Sequence, residues 1–164
     1  MSIVLVGAPG SGKSTVGRLL AGMLDREFID VDRRIEEVIG KPISEIFADD
    51  GEEFFRALEE EATLELIQSE AVVSLGGGAV LSKKVREALR KHDVVWLEVS
   101  ITQASRRVGM NTARPLLLGN VRGRLIELLR ERTPLYEEVS TSRIATDHLT
   151  AKEIATQLAE RRRA

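Results

Sequence analysis

The sequence predicts an α/β fold, three layers of α/β/α built around a five-stranded parallel sheet, and three observations lead there. The β-branched run Ser2-Ile3-Val4-Leu5-Val6 passes through a glycine-rich loop into a segment with Val16, Leu19, Leu20 and Met23 at helical spacing. Ala71-Val72-Val73-Ser74-Leu75 is a continuous apolar run of strand length, as expected of a strand covered on both faces. Five such strands alternate with helical segments, without internal repeats, low-complexity tracts or long linkers.

Taken in order, the first helix runs over 15–24, and Glu27 to Asp32 reads as a second strand ending in two acids. At i and i+2 on an extended backbone, Asp30 and Asp32 would point to the same side. Ile35, Val38 and Ile39 then mark a helix that stops at Gly40, with Pro42 just beyond. Ser44 reads as the N-cap of 45–48, and Asp49-Asp50-Gly51 as a turn. A long helix rich in Glu, Ala and Leu covers 52–68 and carries Phe54, Phe55 and Arg56.

The third strand, 71–75, ends in Gly76-Gly77-Gly78, and Ser82 caps the next helix. Asp93 to Val99 is the fourth strand, with Trp96 packing in the sheet, and a helix follows from about Thr102. Residues 109–120 break the pattern, with glycines near both ends, Pro115 and three consecutive leucines. Separate helices are predicted over 121–132 and 133–139, then a last strand over 142–146. Thr150 and Glu153 form a capping box for a final helix with Ile154 and Leu158 inward, and Arg161-Arg162-Arg163 reads as a solvated end.

The 164 residues, 43% of them apolar, suffice for one sizeable core, so a single domain over 1–164 is expected. A net charge of −2 argues against nucleic acid or an anionic membrane as main partner. The absence of cysteine excludes disulfides, thiolate nucleophiles and cysteine metal sites, and His92 and His148 lack nearby ligand partners. No apolar run approaches membrane-spanning length, and no basic segment leads an apolar one, so a soluble, cytoplasmic protein is expected; a monomer is expected as well.

The loop Gly7-Ala8-Pro9-Gly10-Ser11-Gly12-Lys13-Ser14 has the composition and context of a P-loop. Its glycines allow backbone N–H groups to turn around phosphate oxygens at the positive end of a helix. Lys13 can then reach the β- and γ-phosphates, and the Ser14 hydroxyl can ligate Mg²⁺. Ligands should gather at the carboxyl ends of the strands, where this loop, Asp30/Asp32 and Gly76 to Gly78 all fall. With no Asn-Lys-x-Asp signature, adenine is favoured over guanine.

Six pieces in this order and spacing resemble the shikimate kinases, small members of the nucleoside-monophosphate-kinase-like P-loop group. They are Gly7 to Ser14, Asp30-Val31-Asp32, Phe54-Phe55-Arg56 with Glu59, Gly76-Gly77-Gly78, Arg114-Pro115-Leu116 and Arg132-Thr133-Pro134-Leu135-Tyr136, and the resemblance covers essentially the whole chain. It implies transfer of the ATP γ-phosphoryl group to the 3-hydroxyl of shikimate. It puts Gly10, Ser11, Gly12, Lys13, Ser14, Thr15, Arg107 and Arg114 on the nucleotide, and Arg107 beside the adenine. It assigns the acceptor to Asp32, Arg56, Glu59, Gly77, Gly78 and Arg132, with Phe47, Phe55, Pro115 and Leu116 as apolar walls. Ser14, Asp30 and Asp32 would serve Mg²⁺, and Lys13, Asp32 and Arg114 the chemistry. The implied layout has a mobile lid over about 109–121, carrying Arg114, and an acceptor-binding helical region over about 32–60. With Lys13 and arginines nearby, the Asp32 pKa is expected to be depressed, which favours an orienting role over strong base catalysis.

Pattern alone leaves other readings open. Arg56 lies four residues from both Glu52 and Glu60, as in a surface ion pair; Gly76 to Gly78 could be only a turn, and Arg132 a charge near a helix end. The phenylalanines could be core, and the Asp pair a helix N-cap before Arg33. A gluconate or nucleoside-monophosphate kinase and a non-catalytic ATP-binding module are the alternative functions.

Overall fold

The computed structural model describes residues 1–109 and 121–163. Five strands, β1 (Ile3–Val6), β2 (Phe28–Asp30), β3 (Val72–Ser74), β4 (Asp93–Glu98) and β5 (Ser142–Ala145), form an all-parallel sheet in the order β2-β3-β1-β4-β5. The eight helices among the described residues are α1 (Lys13–Leu24), α2 (Val31–Ile39), α3 (Ile43–Asp50), α4 (Glu52–Leu66), α5 (Lys83–Leu89), α6 (Ile101–Gly109), α7 (Val121–Val139) and α8 (Ala151–Arg163). A 3₁₀ turn at Ala79–Leu81 follows β3. None of these helices is long and apolar enough to cross a membrane.

Alternation along β1 divides the core between the two faces of the sheet. Ile3 and Leu5 pack with Val16, Leu20 and Leu158 under α1 and α8, whereas Val4 and Val6 pack with Ile35, Phe55, Trp96 and Tyr136 on the opposite face. The strand order reverses about β1, which opens a crevice at the carboxyl ends of β1, β2 and β3. The loops leaving those strands are Gly7 to Gly12, Asp30 and Gly76 to Gly78.

Four local readings change. β2 stops at Asp30, and α2 begins at Val31, so Asp32 lies in the first helical turn rather than on an extended backbone. Asp30 is the N-cap, accepting from the Arg33 N–H at 3.3 Å, and this cap outweighs the β preference of Val31. α3 begins at Ile43, before Ser44; its first N–H is taken by Glu36 of α2 at 2.9 Å instead of by the serine hydroxyl. The two helices expected to meet at residues 132 and 133 are one, with Pro134 inside it. Proline lacks the N–H for the carbonyl four residues back, but burial of Leu125, Tyr136 and Val139 rewards continuity. Finally, Arg162 is not a solvated end: its guanidinium forks onto Asp93 of β4 at 2.7 and 2.8 Å. The Thr150/Glu153 capping box forms reciprocally, at 3.0 and 3.1 Å.

Candidate active site

The glycine-rich loop joins β1 to α1 through a tight path. Gly12, the N-cap of α1, has φ +90°, a conformation that side chains resist, and its N-cap position leaves the first N–H groups of α1 facing the crevice. Lys13 Nζ folds back over the loop, donating to the carbonyls of Gly7 at 2.7 Å and Ala8 at 3.1 Å. Ser14 Oγ donates to Asp30 Oδ2 at 2.8 Å, tying the first turn of α1 to the end of β2. From α6, Arg107 donates to the Gly10 carbonyl at 2.8 Å. Ser11 Oγ is buried without a hydrogen-bond partner. Gly10, Gly12, Lys13, Ser14 and Asp30 line a cavity of about 700 Å³ that also reaches Thr15, Asp32 and Gly76-Gly77.

The second side of the crevice is built by α2, α4, α7 and the Gly76 to Gly78 turn. Arg56 donates to Glu59 at 2.8 Å and lies over the rings of Phe47 and Phe55, 6.0 and 5.4 Å from their centres. Phe55 is buried, and its neighbour Phe54 is exposed on the outside of α4. A methyl group at Gly76 would meet the carboxylates of Asp32 and Glu59, at 2.6 and 2.7 Å, and one at Gly78 would meet the Arg56 guanidinium. One at Gly77 would sit 3.3 Å from Arg132 Nη1 and 3.4 Å from Pro9. All three glycines are thus places where charged side chains close in on bare backbone. Arg56, Glu59 and Gly78 also border an adjoining cavity of about 520 Å³.

The electrostatics correct the expectation for Asp32. Burial, then the charges of Glu59 and Asp30, push its pKa up to about 6, against the opposing pull of Lys13 and Arg56. Proximity to cations does not win, because Asp32 Oδ1 is buried without a partner and two acids converge on it. Glu59 is also held above the usual carboxylate range, by burial that exceeds the effect of its bond to Arg56.

Among the described residues, the crevice gathers Gly10, Gly12 to Thr15, Asp30, Asp32, Arg56, Glu59, Gly77 and Gly78; Arg107 bonds to Gly10, Arg132 lies beside Gly77, Ser11 is buried in the loop, and Phe55, with Phe47 against it, packs in the core. Arg114, Pro115 and Leu116, with most of the expected lid, lie outside the described residues. Sequence reasoning named Tyr136 only as the end of a motif and gave it no role, whereas its hydroxyl donates to the Gly77 carbonyl at 2.7 Å. Its spacing of four residues from Arg132 was a usable signal, but it shows only when Pro134 is read as interior to one helix.

A glycine-rich loop at a helix N-terminus, faced by paired acids and two arginines, suits several small kinases, and comparison with known proteins decides among them. The family model described as shikimate kinase matches residues 9–163. The chain belongs to the shikimate kinase family. A shikimate kinase of Thermobifida fusca is 51% identical over 158 residues, covering 96% of this chain and 92% of that protein. The structure of shikimate kinase from Acinetobacter baumannii in complex with shikimate superposes with a TM-score of 0.92 at 39% identity, over 97% of this chain and 90% of that one. A gluconokinase of Sinorhizobium meliloti, covering 99% of this chain and 95% of its own, reaches a TM-score of 0.57 at 24% identity and shares the fold alone. That difference disfavours the gluconate alternative.

Proposed function

We infer that this chain transfers the γ-phosphoryl group of ATP to the 3-hydroxyl of shikimate, giving shikimate 3-phosphate and ADP. The observation that carries the reading is the position of Gly77, in reach of both Pro9 of the phosphate loop and the Arg132 guanidinium. Donor and acceptor sides therefore meet across a single turn. Membership of the shikimate kinase family supplies the identity of the acceptor.

Shikimate is a carboxylate bearing vicinal hydroxyls. Arg56 and Arg132 bind the carboxylate through fork-shaped, charge-assisted hydrogen bonds, and the Gly78 N–H adds a backbone donor. Glu59 holds the Arg56 fork, while Phe47 and Phe55, with Pro115 and Leu116, exclude water from the ring. On the other side, the loop N–H groups of Gly10 to Thr15 cradle the phosphates, Lys13 leaves its carbonyl partners for the β- and γ-oxygens, and Arg107 flanks the adenine. Arg114 adds charge at the γ-phosphoryl group.

Ser14 and Asp30, already 2.8 Å apart, with Asp32 close behind, offer the hard oxygen donors that suit Mg²⁺. When bound, Mg²⁺ supplies positive charge against the phosphate oxygens. Asp32 orients the 3-hydroxyl for in-line attack. As the new O–P bond forms, the bond from phosphorus to the bridging oxygen breaks, ADP leaves, and the hydroxyl proton passes to Asp32. Positioning and charge neutralisation supply most of the acceleration. A cytoplasmic monomer completes the reading, the cytoplasm being where ATP is abundant.

The test is ADP release with shikimate, gluconate and CMP as acceptors, compared with no acceptor. Shikimate-dependent release is expected; release driven only by another acceptor, or by none, would sink the reading. Lys13→Ala should abolish turnover with the fold intact by circular dichroism, and retained turnover would remove Lys13 from the phosphates.

A further inference from the structure

α7 carries two residues toward the glycine turn from the same face, Arg132 and, one helical turn later, Tyr136. Tyr136 is 1% exposed, with its ring 6.2 Å from that of Trp96, and its hydroxyl donates to the Gly77 carbonyl at 2.7 Å. A residue wanted only for packing would not need that hydroxyl. Arg86 of α5 secures the far end of the same segment, donating to the carbonyls of Val80 and Leu81 at 2.8 and 3.1 Å while pairing with Glu138 of α7. The segment after β3 is therefore pinned to α7 near its middle and near its end.

The middle pin has a directional consequence. The Gly77 carbonyl and the Gly78 N–H belong to one peptide plane and point in opposite directions. Drawing the carbonyl toward α7 turns the N–H away from α7. Among the described residues that N–H has no acceptor, and Gly78 borders the same cavity as Arg56 and Glu59. Glycine on both sides of the plane makes this orientation soft unless something holds it.

We propose that Tyr136 is a positioning residue for the acceptor: through the Gly77 carbonyl it orients the Gly78 N–H toward the shikimate carboxylate. This deepens the shikimate reading and rests on it. Burial pushes the Tyr136 pKa up to about 12, so the hydroxyl keeps its proton and remains a donor throughout the working pH range. Without the hydroxyl, the turn samples orientations in which the N–H faces elsewhere, and binding must first select the competent one.

Tyr136→Phe keeps the ring and removes the hydroxyl, and with it both the donor to Gly77 and an acceptor for the Arg132 guanidinium. The expected result is a shikimate KM raised roughly tenfold, with the ATP KM and kcat within about twofold of the unmodified enzyme. A direct binding measurement, shikimate titrated against the fluorescence of the single tryptophan, Trp96, should show the same loss in Kd. Tyr136→4-aminophenylalanine restores an N–H donor in nearly the same volume and should recover most of the affinity; because it fills the site, it also serves if the phenylalanine variant folds poorly. An unchanged shikimate KM in Tyr136→Phe, a proportional change in both KM values, or no rescue by the amino analogue would overturn the inference while leaving the shikimate reading intact. An unmodified enzyme that neither binds nor phosphorylates shikimate would overturn both.

Discussion

Arg56 and Glu59 stand one turn apart on α4 and share a 2.8 Å charged hydrogen bond, with Glu59 just 3% exposed. The pair fixes one edge of the guanidinium, Glu52 stands 3.5 Å from its Nε and Nη2, and the Gly78 backbone lies against its end. Glu59→Gln keeps an acceptor but removes the charge that neutralises Arg56. The shikimate KM should rise several-fold, and Arg56→Lys, which loses the fork, should raise it roughly 10- to 100-fold. The ATP KM should move less than about twofold in each. Steady-state kinetics with each substrate varied separately check this, and parallel increases in both KM values would count against a role confined to the acceptor.

Asp32 should leave a mark on the pH dependence of stability. Its pKa lies near 6 in the ligand-free protein, against an ordinary 3.8. Between those values the folded chain binds a proton that the unfolded chain has released, so this group makes stability fall as pH rises through that window. Above about pH 6 the ionised carboxylate is a standing penalty. Asp32→Asn should therefore raise Tm at pH 8, by an amount that shrinks as pH is lowered toward 4, while abolishing turnover. Melting curves of the two ligand-free proteins from pH 4 to 8 measure this difference. A constant difference in Tm across the range would refute it.

How much of this was legible depended on whether the relevant chemistry was local. The passage from β1 through Gly7 to Ser14 into α1 could be read directly, because loop composition, strand and helix pattern agree within about twenty residues. The parallel sheet followed from the apolar run at β3. The β2–α2 boundary was ambiguous because Asp30-Val31-Asp32 suits either a strand end or an N-cap, and only the bond from the Arg33 N–H to Asp30 decides it. Pro134 concealed the continuity of α7 and, with it, the common face of Arg132 and Tyr136. The raised pKa of Asp32 was out of reach for a different reason. It arises first from burial and then from Glu59, which converges from a separate helix with Asp32 on Gly76, and no spacing along the chain encodes that convergence.

Arg162 provides a test of stability that should leave catalysis untouched. Its fork onto Asp93 joins the last helix to β4, and a further bond at 2.9 Å reaches the carbonyl of Leu158. The two side chains are 15% and 29% exposed, so solvent screens the pair only partly. Arg162→Ala should cost about 1–2 kcal/mol and lower Tm by roughly 3–7 °C, while Arg161→Ala, on the exposed side, should fall within about 0.5 kcal/mol. Both variants should keep the kinetic constants of the unmodified enzyme. Equal melting temperatures for the two would show that the fork contributes nothing measurable.

A methyl group should separate a glycine that serves the fold, at one end of the crevice, from the one proposed to serve the acceptor, at the other. At Gly7, φ is +155°, and an added Cβ would lie 2.7 Å from the backbone oxygen of Leu97, which β4 holds in place. Nothing nearby can yield cheaply, so Gly7→Ala should destabilise the protein by about 2 kcal/mol or more, with Tm falling accordingly. Gly78 has an ordinary φ of −98°, and its Cβ would meet the end of the Arg56 side chain, with Cζ at 2.7 Å. A guanidinium on a flexible stem can swing aside. Gly78→Ala should therefore melt within about 1 kcal/mol of the unmodified protein but raise the shikimate KM at least tenfold, because the displaced group is the one proposed to bind the carboxylate. Thermal melting and shikimate kinetics on both variants separate the two uses. A Gly78→Ala protein that loses stability but keeps its shikimate KM would mean that the glycine turn serves the fold and that Arg56 has no part in the acceptor pocket.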